Sequence, residues 1–244
     1  MKVVIVILAV IAFIACLLLG LYAGRIGGPP PQPTQILQAT AIKPTIQQHT
    51  IVLVQADDLT LTNPRLIGIW LVLYYPDYPK LTLLLLYPPM GGSNVLKERS
   101  LFQKFSVSPD GKLGTDFQSD LDRFGFKSNG YLLIDNYGVA QWIDWLGGIK
   151  YNDQGGNQNG VTVLNKLPPS GQDDKITGVW LKQVSNGVCD KIGQIPVDAN
   201  WTTLLNIISP DHFHTDLSLE LMLGDWKQIK SQGNSITCEV DIPN

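Results

Sequence analysis

The chain has 244 residues, a formal net charge of −3 and a charged fraction of 16%, against roughly 25% in an ordinary soluble domain. Its length suits one sizeable core in one or two domains. A slightly acidic balance leaves no basic footprint for nucleic acid. Three scattered histidines and cysteines without CxxC spacing do not make a zinc site.

The charge shortfall begins at the N-terminus. Val3–Gly24 is apolar and charge-free between Lys2 and Arg25, and its length meets the roughly 20 residues that a membrane-spanning helix needs. A cleaved signal peptide would want a shorter apolar run and a better small-x-small site than "LLGLYAG". A lipoprotein using Cys16 would want polar residues after it, and these are apolar. The expectation is an uncleaved signal anchor in residues 1–25, with the C-terminal part outside the cytoplasm. Residues 26–48 carry five prolines and one charge, the composition of an extended spacer reaching up to ~70 Å. From His49 to the C-terminus the composition is globular, so 49–244 is read as one domain.

Within it, "HTIVLVQADD" predicts a buried strand ending in a turn with two carboxylates. Asp57 and Asp58 there suit a metal or a reacting phosphate, or else an Asx turn closing the strand. "PRLIGIWLVLYYP" predicts a second strand. Through "PDYP" it turns into "KLTLLLLYPPM", a run too apolar for a sheet with one wet face. "DFQSDLDRFGF" predicts a helix and "NGYLLIDN" a strand. "YGVAQWIDWLGGI" places Val139, Trp142, Ile143 and Leu146 on one helical face and stops at Gly147 and Gly148. Residues 152–172 read as a Gly/Asn/Pro-rich loop. Two helices follow, "DDKITGVWLKQVSNGVCDKIGQI" and "LSLELMLGDWKQIK", the latter capped by Ser218. "SITCEVDI" ends the domain as a strand. Between those helices, "DHFHTD" reads as a polar loop, with a transition metal shared by His212 and His214 as the alternative. Trp142, Trp145, Trp180 and Trp226 fall at helical core positions, where they pack or line a lipid cavity. Cys189 and Cys238 form either one disulfide or two buried thiols. No GxSxG, P-loop, HExxH or dinucleotide glycine pattern appears.

Three stretches resemble the LytR-CpsA-Psr (LCP) family of bacterial cell-envelope proteins. "TIVLVQADD" is similar to its "NILLLGSD" strand. "PRLIGIWLVLYYPDYPKLTLLLLYPP" resembles its "RSDTIMLVSINPKTKKVTLLSIPRD" hairpin. "NGYLLIDNYGVAQWIDWLGGI" resembles its "DYYVVVDFEGFKKLVDALGGV", with Asp144, Gly147 and Gly148 in matching places. The resemblance implies an α/β fold, an αβα sandwich with a central mixed sheet around a hydrophobic cavity for a polyprenyl chain, here behind an N-terminal transmembrane helix. It further implies arginines that grip the pyrophosphate, an aspartate that helps to hold Mg²⁺, and transfer of a glycopolymer from its lipid carrier to the cell wall. Guanidinium suits this work because it stays charged and binds phosphate bidentately.

This chain departs from the pattern where the chemistry lies. Tyr87, Pro88, Pro89 and Met90 stand where the family has Ile-Pro-Arg-Asp. Asp57 matches the metal-binding aspartate and Arg65 an arginine, but Ile67 replaces an aspartate and Leu59 stands where an arginine is common. The whole chain has four arginines, Arg25, Arg65, Arg99 and Arg123. The expectation is thus a membrane-anchored, extracytoplasmic protein of envelope glycopolymer assembly that binds a polyprenyl (pyro)phosphate lipid or a cell-wall polymer through an eroded site. The first alternative is an active Mg²⁺-dependent transferase using Asp57, Asp58 and Arg65 as catalytic residues and Asp57 as metal ligand, with Arg99 or Arg123 brought in by folding. The second is a non-catalytic interaction module with a closed cavity.

Overall fold

The continuous apolar runs pair with one another. In the computed structural model, strands β1 (His49–Ala56), β2 (Leu66–Tyr75), β3 (Tyr78–Tyr87), β4 (Gly130–Asp135), β5 (Phe213–Thr215) and β6 (Thr237–Asp241) form one sheet in the order β5-β4-β1-β2-β3-β6. It is mixed: β1 runs antiparallel to β2 and parallel to β4, and β3 parallel to β6. The structure describes residues 47–90, 104–123, 127–152, 155–169, 174–233 and 235–242. The apolar N-terminal segment, nearly all of the spacer, Cys16, Arg25 and Arg99 lie outside them. Among the described residues no helix is long and apolar enough to cross a membrane.

Both faces of the sheet are covered, which explains why its strands are apolar without alternation. On one face Val52, Val54 and Leu133 pack against Phe117 and Leu121 of helix α1 (Thr115–Arg123). On the other, Ile51, Trp70 and Leu83 meet five helices: α2 (Asn136–Trp145), α3 (Gly160–Leu164), α4 (Asp174–Ile192), α5 (Trp201–Ile208) and α6 (Leu219–Ser231). The result is the expected three-layer αβα arrangement. Helix α2 ends as expected, with φ of +76° at Gly147 and +80° at Gly148. A Cβ on Gly148 would also lie 2.8 Å from the Gln158 carbonyl oxygen, so glycine is required there twice over.

Two expectations are corrected and one helix goes beyond them. The segment expected to be a loop contains α3, opened by Asn159, whose Oδ1 accepts the Thr162 N–H at 2.8 Å. Helix α5, "WTTLLNII", was not expected, because its Thr and Ile residues have low helix propensity. Its sequence signal is Asn200, which caps it by accepting from the Thr203 N–H at 3.2 Å. "DHFHTD" is not a plain loop: Phe213–Thr215 pairs with β4 as an edge strand. Its two histidines part company. His212 binds Asp135, whereas the His214 ring fills the space where a Cβ on Gly111 would be.

Cys189 on α4 and Cys238 on β6 form a disulfide, with Cα atoms 5.1 Å apart and a sequence separation of 49. Closing a loop of that length stabilises a fold by roughly 2–4 kcal/mol. The Cys189→Ala/Cys238→Ala double variant is therefore expected to lose about that much in urea unfolding, with an unchanged far-UV spectrum at low denaturant.

Candidate functional site

The C-terminal ends of β1 and β4, parallel neighbours paired through Ala56 and Asp135, form the edge where ligands bind in open α/β sheets. Asp57 sits at this edge. Its Oδ1 accepts the backbone N–H of Asp58 at 2.8 Å and of Arg65 at 2.7 Å. Its own N–H donates to the Arg65 carbonyl at 2.9 Å, and its Oδ2 lies 3.5 Å from Arg65 Nε. The carboxylate thus laces the loop between β1 and β2 shut, with Arg65 beside it and half-exposed. Asp58 accepts the Thr60 hydroxyl at 2.6 Å and the Thr60 N–H at 2.9 Å. Those two bonds, the hydroxyl first, hold its carboxyl below the ordinary 3.8. A depressed folded-state pKa contributes stability that is complete above the ordinary value and is lost as the pH falls through the lower, folded one.

Beside this loop lies a pair that the sequence did not reveal. Asp135 is 1% exposed and uses both oxygens. Oδ1 accepts the Gly138 N–H at 2.8 Å and caps α2. Oδ2 accepts the Leu59 N–H at 3.2 Å and binds His212 Nδ1 at 2.7 Å. The Tyr137 ring packs on the His212 ring at 4.3 Å. The cap was legible, because an aspartate ends a strand just before a helix. His212, 77 residues further on, carries no local sign of its partner.

Between the sheet and helices α4, α5 and α6 runs a cavity of about 280 Å³. Leu53, Val72, Leu132, Trp142, Val188 and Leu205 are among its walls, and among the described residues not one lysine or arginine is. Its polar groups are few. Gln55, 3% exposed, donates to Asn136 Oδ1 at 2.8 Å. At the other end of β1, Asp225 Oδ2 accepts from the Tyr74 hydroxyl at 2.7 Å and lies 2.8 Å from His49 Nδ1. Burial, then the adjoining carboxylate, raises the Tyr74 hydroxyl well above its ordinary range. The buried indole N–H groups of Trp70, Trp142 and Trp201, all wall residues, have no hydrogen-bond partner among the described residues.

The expected site residues are thus brought together with one another but not with the cavity. Asp57, Asp58 and Arg65 do not line it, and Gln55 is the wall residue of β1 nearest to them in sequence. Arg123 is on α1, against the opposite face of the sheet, and pairs with Asp120 at 3.4 Å. Of the four expected core tryptophans, Trp142 and Trp226 line the cavity and Trp180 is buried in the core, donating to the Val163 carbonyl at 3.3 Å. A Mg²⁺ at Asp57, the metal ligand of the transferase alternative, fits the residues poorly. One oxygen is taken by two backbone N–H groups, the other faces a guanidinium, and among the described residues no three His, Cys, Asp or Glu side chains converge.

Two outcomes follow from the edge. Asp135→Ala strands the Leu59 and Gly138 N–H groups and His212, and is expected to cost roughly 3–5 kcal/mol in denaturant unfolding, at about 1–3 kcal/mol for each partner left unsatisfied. Thr60→Ala is expected to move the Asp58 pKa up toward 3.8, read by carboxyl carbon NMR titration.

No protein-family model matches the sequence, and no curated protein matches it. Solved structures do match in fold. The transcriptional regulator yvhJ from Bacillus subtilis is 16% identical, with 82% of this chain and 83% of that one covered at a TM-score of 0.54. Protein gbs0355 from Streptococcus agalactiae is 13% identical over 81% and 77%, at 0.55. TagT of B. subtilis bound to LIIa-WTA is 11% identical over 80% and 78%, at 0.53. These are LCP structures. The motif resemblance therefore extends to three dimensions, and the chain has the fold of the LytR-CpsA-Psr proteins.

Proposed function

We propose that this protein takes part in cell-envelope glycopolymer assembly as a membrane-anchored, extracytoplasmic lipid binder, holding the hydrocarbon chain of a polyprenyl-linked lipid in its cavity without gripping the pyrophosphate. The observation that carries this reading is the cavity wall: among the described residues it is apolar over nearly its whole extent, with no lysine or arginine and with Asp225 as its one carboxylate. Each buried CH₂ of a guest chain contributes about 0.8 kcal/mol, so an isoprenoid is a good guest. A diphosphate drawn in after it would meet no lysine or arginine among the described wall residues, and burying an unpaired charge is costly.

The fold shared with TagT, a protein solved with LIIa-WTA bound, supports the choice of lipid class. The disulfide supports an oxidising compartment, and the apolar segment Val3–Gly24 supports the anchor. An open cavity sets this reading apart from an interaction module with a closed one. Transfer from a pyrophosphate carrier would need more cations than Arg65, which is already shared with Asp57.

Native mass spectrometry of the full-length protein in detergent tests the proposal, with polyprenyl monophosphate and pyrophosphate offered side by side. Both are expected to bind alike and to be unaffected by Asp57→Ala or Arg65→Ala. Ser185→Trp, which fills the cavity from α4, is expected to abolish binding of both. A pyrophosphate preference lost with Asp57→Ala or Arg65→Ala would establish a working head-group site instead, and failure of both lipids to bind would overturn the reading.

A further inference from the structure

Among the described residues three acids are buried: Asp120, Asp135 and Asp225. Asp120 is matched on both oxygens, with Lys104 Nζ 2.8 Å from Oδ2 and Arg123 Nη1 3.4 Å from Oδ1. Asp135 likewise uses both, for two backbone N–H groups and His212. Asp225 uses only one. The Tyr74 hydroxyl donates to Oδ2, His49 Nδ1 lies 2.8 Å from the same atom, and among the described residues nothing donates to Oδ1. An ionised carboxylate offers about four lone-pair sites, and leaving half of them unmatched at 8% exposure is costly.

That oxygen is not sealed by packed atoms. Among the described residues, the sealed side-chain nitrogens and oxygens without a partner are the indole nitrogens of Trp70, Trp142 and Trp201 alone, so Oδ1 keeps accessible surface. Its place on α6 gives the direction. Met222, Asp225, Trp226 and Ile229 all belong to the cavity wall, and residues three or four apart share one face of a helix. Asp225 is thus a carboxylate set into an apolar stripe turned to the cavity. Tying α6 to Tyr74 needs an acceptor but no charge, and a neutral amide oxygen would serve with less desolvation. The tie therefore leaves both the charge and the second oxygen unexplained.

We infer that Asp225 recognises a hydroxyl group on the guest: the cavity takes a free polyprenol, the unphosphorylated alcohol, whose O–H donates to Asp225 Oδ1. The isoprenoid chain rests on the lipid-binding reading above, whereas the hydroxyl rests on Asp225. A phosphate brought to this carboxylate would be repelled, since the described wall residues include no lysine or arginine to offset the two charges. A phosphorylated lipid is then held by its chain alone. An ammonium group would bring three N–H donors to one free acceptor atom, while a hydroxyl brings one. Hydrogen bonds to an ionised acceptor are roughly twice as strong as neutral ones, so a single such bond can orient an otherwise featureless chain. Burial, and then Asp225, hold the Tyr74 hydroxyl protonated, so it stays a donor on Oδ2 and leaves Oδ1 to the guest.

The test is a competition on the full-length protein in detergent, read by native mass spectrometry, among geranylgeraniol, its methyl ether and geranylgeranylamine at equal concentration. The ether keeps the chain and the acceptor oxygen but has no O–H. The alcohol is expected to outcompete it about ten-fold, the strength of one charge-assisted hydrogen bond. Asp225→Asn keeps an oxygen for Tyr74 and His49 and turns an N–H₂ group toward the guest. Alcohol and ether can both accept from that group, so the alcohol's advantage is expected to vanish. Equal binding of alcohol and ether to the unaltered protein overturns the hydroxyl site and leaves the lipid-binding reading standing. Preference for the amine overturns it in favour of a cationic guest, and an advantage of the alcohol that persists in Asp225→Asn overturns the assignment to Asp225. If none of the three binds, the hydroxyl site is overturned, and the lipid-binding reading falls with it only if the polyprenyl phosphates fail to bind as well.

Discussion

One buried carboxylate ties the ligand-binding edge of the sheet together. Asp135 ends β4, caps α2, holds the β1–β2 loop through the Leu59 N–H and receives His212 from the strand that closes the sheet's edge. A charge at 1% exposure persists in a protein only when its lone pairs are matched, and here three elements supply the matches. Asp57 performs a similar service one strand over, by closing its own loop. Asp57 and Asp135, which the fold places where ligands usually bind, are therefore both engaged in holding backbone.

The arrangement separates two properties that a head-group transferase has to combine. The cavity wall is largely apolar, while Arg65 at the Asp57 edge stands outside that wall and faces a carboxylate. The cavity's own ionisable cluster, Asp225 with Tyr74 and His49, lies at the far end of β1 and fastens a helix. Electrostatics and apolar burial thus reside at different places in the same layer.

Much of the fold was legible because its signals are local. The hairpin of β2 and β3 follows from two apolar runs and a tight turn, and the end of α2 from two glycines. Helix α5 escaped because Thr and Ile mask a helix whose stability comes from burying Leu204 and Ile208. At the site, Asp57 could be located by resemblance, yet nothing in the sequence says that its oxygens would be spent on its own loop. The bond between His212 and Asp135 and the outer wall of the cavity both depend on how β5 and α6 return to the sheet. Those are long-range facts, without periodicity or spacing to announce them.

The disulfide encloses α5, β5 and α6 within a single covalent ring, since Cys189 precedes all three and Cys238 follows them. The outer wall of the cavity is thus a loop fastened at both roots, to α4 on one side and to β6 on the other. A cut by a protease anywhere along that wall would open the ring but release no fragment. While the disulfide stays oxidised, such a wall can be damaged and still remain attached to the domain.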